Sequence, residues 1–321
     1  MSSSGPCRDY RIRTFSRDCR ERYGQAVGKI PLDLGHPCPN RARGGCIFCL
    51  PASFTPTSLR AGDPLSQQIR RGKALLLKGR FRRYLGYFQQ ETSTALPTRH
   101  LLPALNRVLE DPDCLGLILS TRPDAIADDL PPALARLAAQ SGKDCLIELG
   151  LQTCHERSLR WLNRNHGYDH FLRAVDRLAR YSNLQIGAHL ILGIPGESET
   201  DMLQTLRSVC ALPIHALKLH HLQVLRDTPL QHCYQQGQVT VFSLDSYMQL
   251  LLRLLPWIPE SITIHRLWTT SHPELLIAPQ WHRVAAELSE HLLRLMRDQN
   301  ICQGQALRLA AISAEEGVQD R

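Results

Sequence analysis

Three cysteines stand within twelve residues of one another: Cys38, Cys46 and Cys49, spaced C-x7-C-x2-C. The run around them reads Gly35-His36-Pro37-Cys38-Pro39-Asn40-Arg41-Ala42-Arg43-Gly44-Gly45-Cys46-Ile47-Phe48-Cys49. Three thiolates on one short loop are soft ligands, suited to zinc or to an iron–sulfur centre. A tetrahedral zinc site takes four ligands, and the nearby fourth is His36. A 4Fe-4S cluster normally takes four cysteines, so three leave one iron open to another ligand. That incompleteness fits catalysis better than structure, with a structural zinc loop as the lesser alternative. Gly44 and Gly45 let the backbone fold tightly around an inorganic core. Phe48, just before the last cysteine, offers an aromatic face to a bound ring.

The rest of the composition narrows the class. The chain has 321 residues, 43% of them hydrophobic, enough for one large or two small domains with a sizeable core. No apolar stretch approaches the ~18–20 residues of a membrane-spanning helix; residues 250–255 are interrupted by Arg253 and stopped by Pro256. The first fourteen residues are polar and arginine-rich with no apolar core segment, so no secretory signal is read and a cytoplasmic location is expected. The formal net charge of +8 suggests an acidic partner. Positive charge is densest from Arg70 to Arg83, with seven basic residues and no acid. Such a run is usually a solvated helix face. The other two readings are phosphate contact with RNA, with Phe81, Tyr84 and Tyr87 available for stacking, and docking of an acidic flavodoxin or ferredoxin.

These residues need a scaffold, and the patterning supplies one. Strands are expected at 29–34, 84–89, 115–121, 145–152, 185–193 and 216–225. Helical periodicity lies between them at 101–109, 131–140, 158–181 (broken at Gly167) and 200–212, while 55–68 reads as loop. Repeated strand–helix alternation means parallel βαβ units and an α/β fold. Neither a G-x-G-x-x-G nor a G-x-x-x-x-G-K-[ST] follows the first strand, so a barrel is favoured over an open nucleotide-binding sheet. The expected architecture is a partial (β/α)6 TIM-like barrel over residues 30–255. A lead-in of residues 1–29 precedes it, and an extension of 256–321 closes its open side. Functional residues should then follow the strands at the C-terminal rim, where the cysteines fall.

The cysteine motif, with an aromatic before its last cysteine, resembles that of the radical S-adenosylmethionine (SAM) superfamily. Further segments strengthen the likeness: Thr121-Arg122-Pro123-Asp124, Gly150-Leu151-Gln152-Thr153, Asn163-Arg164-Asn165-His166, residues 188–197 and Ile277-Ala278-Pro279-Gln280-Trp281. Together they are similar to YhcC-like radical SAM proteins along nearly the whole chain. Residues 30–225 are similar, more distantly, to the radical SAM domain of the elongator catalytic subunit. The resemblance implies a fold of the radical SAM type and a 4Fe-4S cluster held by Cys38, Cys46 and Cys49. It also implies SAM on the open iron and reductive cleavage of SAM to a 5′-deoxyadenosyl radical. Phe48 would lie near the adenine, and Gln152 and Arg164 would contact SAM. Where related enzymes have a small glycine-rich stretch after the second strand, this chain has Gln89-Gln90-Glu91-Thr92, so Glu91 would accept from the SAM ammonium. Ser120 replaces the residue that elongator-type chains carry before T-R-P-D.

Other polar residues carry two readings. One of His220 and His221 must point into a barrel by strand alternation, and a structural role is the plainer one for each. His189 shares a strand face with Ile191 and is a candidate to line the site. Arg122 and Asp124 follow a strand end, which suits function, but such a pair also braces loops. The expected activity is radical SAM catalysis on an unidentified substrate, with a tRNA wobble-uridine step as the leading guess from the elongator likeness. Alternatives are a small-metabolite substrate or a non-enzymatic iron–sulfur or zinc sensor. The expected partners are a flavodoxin- or ferredoxin-type reductant and tRNA, with no membrane.

Overall fold

The computed structural model describes residues 10–60 and 62–311. Seven strands form one parallel sheet in the order β1-β2-β3-β4-β5-β6-β8. They are β1 (Val27–Leu32), β2 (Arg83–Phe88), β3 (Cys114–Thr121), β4 (Asp144–Gln152), β5 (Gln185–Leu192), β6 (Ala216–His221) and β8 (Thr263–Arg266). A two-residue strand β7 (Val224–Leu225) leaves the sheet and pairs antiparallel with β9 (Leu276–Ala278). Helices cross between consecutive strands: α2 (Leu65–Gly72), α3 (Thr98–Leu109), α4 (Leu130–Ser141), α5 (Glu156–Trp161), α6 (Tyr168–Ala179), α7 (Glu199–Cys210), α8 (Pro229–Gln235) and α9 (Leu244–Leu254). This is the expected partial barrel, with helices on its outer face.

Three details differ from the sequence expectation. The sheet has a seventh strand, β8, within residues 261–267, a stretch that reads as strand-like in the sequence but falls in the expected extension and not in the barrel. Helix α2 begins at Leu65 inside the segment read as loop, because Pro64 precedes it in extended conformation and is followed by Ile69 and Gly72, which pack inward. A Cβ on Gly72 would come within 2.4 Å of Ile30 Cγ2, so the helix lies directly on β1. Finally, the gap between the edge strands β1 and β8 is spanned by the lead-in. Thr14 bridges to Ile264, Ile264 N donates to Arg13 O at 2.8 Å, and α1 (Phe15–Tyr23) lies against β1 and β8. The C-terminal extension supports that closure through Gln303, which joins Arg13 N to the carbonyls of Pro259 and Ile262.

Alternation along the strands gives the two sheet faces different chemistry. Outward residues such as Ile30, Leu32, Phe88, Leu117, Leu119, Ile147, Leu149, Ile186, Leu190, Leu217 and Leu219 belong to one continuous core under the helices. Inward, Val27, Leu85, Ile118, Leu146 and Ala216 plug the N-terminal end of the barrel. Further toward the C-terminal ends, the inward residues turn polar. Helix α10 (Ala285–Asp298) packs on α9 and completes the outer layer.

Candidate active site

The cysteine loop leaves β1 and crosses the C-terminal ends of the strands, as the barrel reading requires. Its shape is fixed by a clip from the segment after α5. Asn163 Nδ2 donates to the carbonyls of Arg43 and Gly45 at 3.0 and 2.6 Å. Asn165 Nδ2 donates to Asn40 Oδ1 at 2.8 Å, and Asn40 Nδ2 returns to Asn163 O at 2.8 Å. Asn163 and Asn165 both adopt left-handed backbone (φ 52 and 54), a conformation asparagine accepts more readily than most residues. Ile47 N donates to Leu162 O, and Leu230 N to Ile47 O, tying the loop to α8 as well.

Inside this clip, Cys46 Sγ accepts hydrogen bonds from Asn40 Nδ2 (3.3 Å) and Arg164 Nη1 (3.2 Å). Burial, with Cys46 beside it, pushes the Cys49 thiol up to about 12, so its thiolate form needs a cation at hand. Among the described residues no three His, Cys, Asp or Glu side chains converge closely enough to share one metal ion. Three thiolates at one mouth, with a fourth position left open, are the donor set a 4Fe-4S cluster with one open iron takes.

Cys38, Cys46 and Cys49 line the mouth of a cavity of about 240 Å³ that runs into the barrel. Phe48 lines it too, its ring resting on an apolar cluster that includes Leu162, Ile191 and Leu222. Gln152 closes β4 at a register shift, with φ 86, and faces the same space. Arg164 is buried; Nη2 donates to the Gly150 carbonyl and to His166 Nε2, and its Nε is left without a partner. Burial and the adjacent Arg164 push the His166 ring down to about 3, so it stays neutral and accepts that bond. A Cβ on Gly150 would stand 3.3 Å from Arg164 Nη2, so the glycine leaves the guanidinium its place. The structure thus brings Phe48, Gln152, Arg164 and the three cysteines to one mouth.

Glu91 reaches the same rim but turns toward the loop. Its carboxylate accepts from Cys38 N at 3.1 Å and from Arg41 Nε at 3.0 Å. The neighbouring Thr92 faces the cavity with an unpartnered, buried Oγ1. Arg122 is also buried against the mouth, forked on Asp124 (2.9 and 3.0 Å) and donating to Arg164 O at 2.6 Å, with Nη1 unpartnered. Thr92 was missed in the sequence because an isolated threonine has no spacing signal; Asn40, Asn163 and Asn165 were missed as loop clamps for the same reason.

Deeper in the barrel lies Glu148, with 1% of its side chain exposed. It accepts from Lys218 Nζ at 2.5 Å, Ser120 Oγ at 2.9 Å, His189 Nε2 at 3.1 Å and His265 Nδ1 at 3.2 Å. Burial alone would raise this carboxyl, but Lys218 and the histidines hold it well below its usual range. His189 is therefore inward-facing and lines the cavity, as does His220; His221 also reaches the cavity lining, its ring stacked on Trp281 at 4.1 Å. Tyr87 OH takes a 2.7 Å bond from Lys218. Sequence reading missed Glu148, Lys218 and Arg266, because a lone charge in a strand is legible only once its neighbours are known.

The basic run separates into two parts. Arg71 pairs with Asp63, Lys73 with Asp111 and Asp113, and Arg83 donates to Pro112 O. Arg70, Lys78, Arg80 and Arg82 are exposed. Residues 78–82 immediately precede β2, which puts them at the end of the barrel opposite the cysteine loop.

No helix among the described residues is long and apolar enough to cross a membrane. Residues 36–209 match the family model described as the radical SAM superfamily, and residues 214–296 match that of the radical SAM C-terminal domain. The chain is 34% identical over 276 residues to YtqA of Bacillus subtilis, covering 84% of this chain and 85% of that protein. It is 32% identical over 274 residues to YhcC of Escherichia coli, covering 84% and 87%. Among solved structures, that of the archaeal Methanocaldococcus infernus Elp3 superimposes with a TM-score of 0.64 at 16% identity. The superposition covers 86% of this chain and 64% of Elp3, a likeness of fold. Matched by this model over more than half its length, and by YtqA and YhcC nearly end to end, the chain belongs to the radical SAM superfamily, enzymes that work with a 4Fe-4S cluster and SAM.

Proposed function

We propose that this protein cleaves SAM reductively at a cluster held by Cys38, Cys46 and Cys49, and that its substrate is a uridine at the wobble position of tRNA. The observation that carries the first part is the convergence of the three cysteines with unpartnered buried atoms of Thr92, Arg122 and Arg164 on one cavity mouth. Unsatisfied buried donors and acceptors are costly, and a bound cofactor is what makes them worth keeping. When bound, the cluster would pass one electron into the SAM sulfonium, releasing methionine and a 5′-deoxyadenosyl radical.

The chain's own residues position and protect. Asn40 and Arg164 steady the Cys46 thiolate, while the Asn163–Asn165 clip and Glu91 hold the loop in place. Thr92 Oγ1 is free to accept from the SAM ammonium, taking the role that sequence alone gave to Glu91. Arg164 Nε and Arg122 Nη1 are free to donate to its carboxylate or ribose oxygens, as fixed forks. Phe48 supplies an apolar wall for the adenine, and Gln152 a polar edge beside it.

The tRNA reading rests on the elongator-type segments around Arg122, Gln152 and Arg164. The basic run lends it little, since residues 78–82 lie at the far end of the barrel. Better placed for an acidic partner are Arg43 and Arg60 on the cysteine loop, both exposed and without an ion pair among the described residues. A flavodoxin- or ferredoxin-type reductant must approach that same edge, and the cytoplasm is where it would be met. The test is mass spectrometry of tRNA nucleosides from cells lacking the protein, beside cells restored with wild type or a Cys46→Ala variant. The expected result is a wobble uridine arrested at an earlier modification state and rescued only by wild type. Unchanged tRNA nucleosides would contradict the tRNA assignment and turn the search to small metabolites.

A further inference from the structure

Below the cofactor mouth, the cavity is lined by a layer of cationic and imidazole groups that the SAM chemistry does not use. His189, Lys218 and Arg266 stand in one register row across β5, β6 and β8. The register shift between β6 and β8 leaves His265 unpaired beside Arg266, and both side chains reach the interior. Bulges of this kind re-aim side chains and concentrate near active sites. His265 turns to Glu148, whereas Arg266 lines the cavity and forms no hydrogen bond or ion pair among the described residues. His220 lines it as well, with a buried Nε2 that has no partner.

The charges at and beneath this end of the cavity do not balance. Lys29, Lys218 and Arg266 are opposed by one carboxylate, Glu148, which is already saturated by Lys218, Ser120, His189 and His265. Tyr87, the remaining titratable group of the layer, is kept neutral by burial. The strain is visible in each neighbour. Burial, then Lys218, pushes Lys29 down to about 7, and burial with Arg266 drives His220 well below its ordinary value. A half-buried guanidinium with like charge beside it and no partner is costly unless an anion arrives to meet it.

We infer that Arg266 and His220 form an oxyanion pocket that grips a carboxylate or phosphate group of the substrate beneath SAM. This rests on the reading of the cavity as a radical SAM active site and adds to it the chemical class of the substrate's recognised group. The fork of Arg266 suits two oxygens of such a group, and His220 Nε2 supplies a further donor once its ring carries the proton there. Thr269, Thr270 and Ser271, following β8, line the adjoining wall with hydroxyl groups. An acidic group held at this depth would anchor the reacting carbon toward the mouth, where the cofactor acts.

The experiment uses the full chain with labelled histidine side chains, titrated near neutral pH with acetate and, separately, methyl phosphate. It is run both on protein carrying the reconstituted cluster and saturating SAM, and on iron-free protein. The expected result is a saturable shift of the His220 ring nitrogens with one of the two anions, and which anion acts tells carboxylate from phosphate. Arg266→Gln should weaken that binding by about tenfold or more, as loss of a charged hydrogen-bond partner does, and Arg266→Lys should restore part of it. No saturable shift with either anion, or a shift indifferent to Arg266→Gln, overturns the pocket. Anion binding in a protein that takes up neither iron nor SAM would instead sustain the pocket and contradict the radical SAM reading of the cavity.

Discussion

The two faces of the same sheet obey opposite rules. On the outer face, Leu117, Leu119, Ile147, Leu149, Leu217 and Leu219 pack into one continuous apolar core under the helices. One residue along each strand, the inner face carries Ser120, Glu148 and Lys218, each bonded to groups from other strands. The outer face gains stability from area, about 1.5–3 kcal/mol for each large side chain buried. The inner face spends stability on desolvated charge and retains a particular arrangement of donors around a cavity. The comparison teaches that the fold is written redundantly, across dozens of interchangeable apolar residues, whereas the site is written once.

The largest effect that would sharpen this contrast comes from Glu148→Gln. Removing the carboxylate leaves Lys218 buried without its counter-charge, which should cost about 3–5 kcal/mol in urea unfolding. Leu119→Ala on the outer face should cost about 2–5 kcal/mol by leaving a cavity. The two variants differ in what else they change: only Glu148→Gln should alter the pH dependence of stability. If both gave the same pH profile as wild type, the inner network would be no more than another piece of core.

A smaller effect concerns that pH profile. Lys29 titrates near 7 in the folded chain, against about 10.4 when free. His189 and His265 titrate near 4, against about 6.5 when free. Glu148, too, is lowered. All of these groups bind fewer protons folded than unfolded, so stability rises with pH as each penalty or protonation is relieved. The histidine part accrues between about pH 4 and 6.5, and the Lys29 part begins near 7. Above about 8.5, thiols such as Cys145 and Cys210, raised by burial to about 12, pull the other way. Lys29→Met should therefore flatten the rise between about pH 7 and 8.5 and, by removing a positive charge beside His265, also soften the lower limb. An unchanged slope in that window would show that Lys29 is solvated in the folded protein.

How much of this was legible in the sequence follows the same division. The outer face announces itself through period-2 apolar runs and helical stripes, so six strands and most crossing helices were readable to within a few residues. β8 was not placed in the sheet, since a four-residue strand acquires meaning only by pairing with Lys218 and its neighbours. The cysteine triad, Phe48, Gln152 and Arg164 were legible because their spacing or setting repeats a recognisable pattern. Glu148 was not, because its partners come from residues 120, 189, 218 and 265, on four other strands. Alternation shows that His189 and Ile191 share a face, yet only the closed sheet tells which face is inside. The basic run shows the converse failure: contiguous in sequence, it divides in space into internal braces and a solvated turn.

The measurement that bears most directly on the central claim is electron paramagnetic resonance of anaerobically reconstituted, chemically reduced protein, with and without SAM. The account predicts about four irons per chain, a reduced-cluster signal whose g values move when SAM is added, and loss of that signal when Cys38, Cys46 and Cys49 are replaced by Ala. Arg164→Ala should keep the signal but need more SAM to move it, since it removes cofactor donors and no iron ligand. Stoichiometric zinc without iron, or a cluster signal indifferent to SAM, would contradict the account.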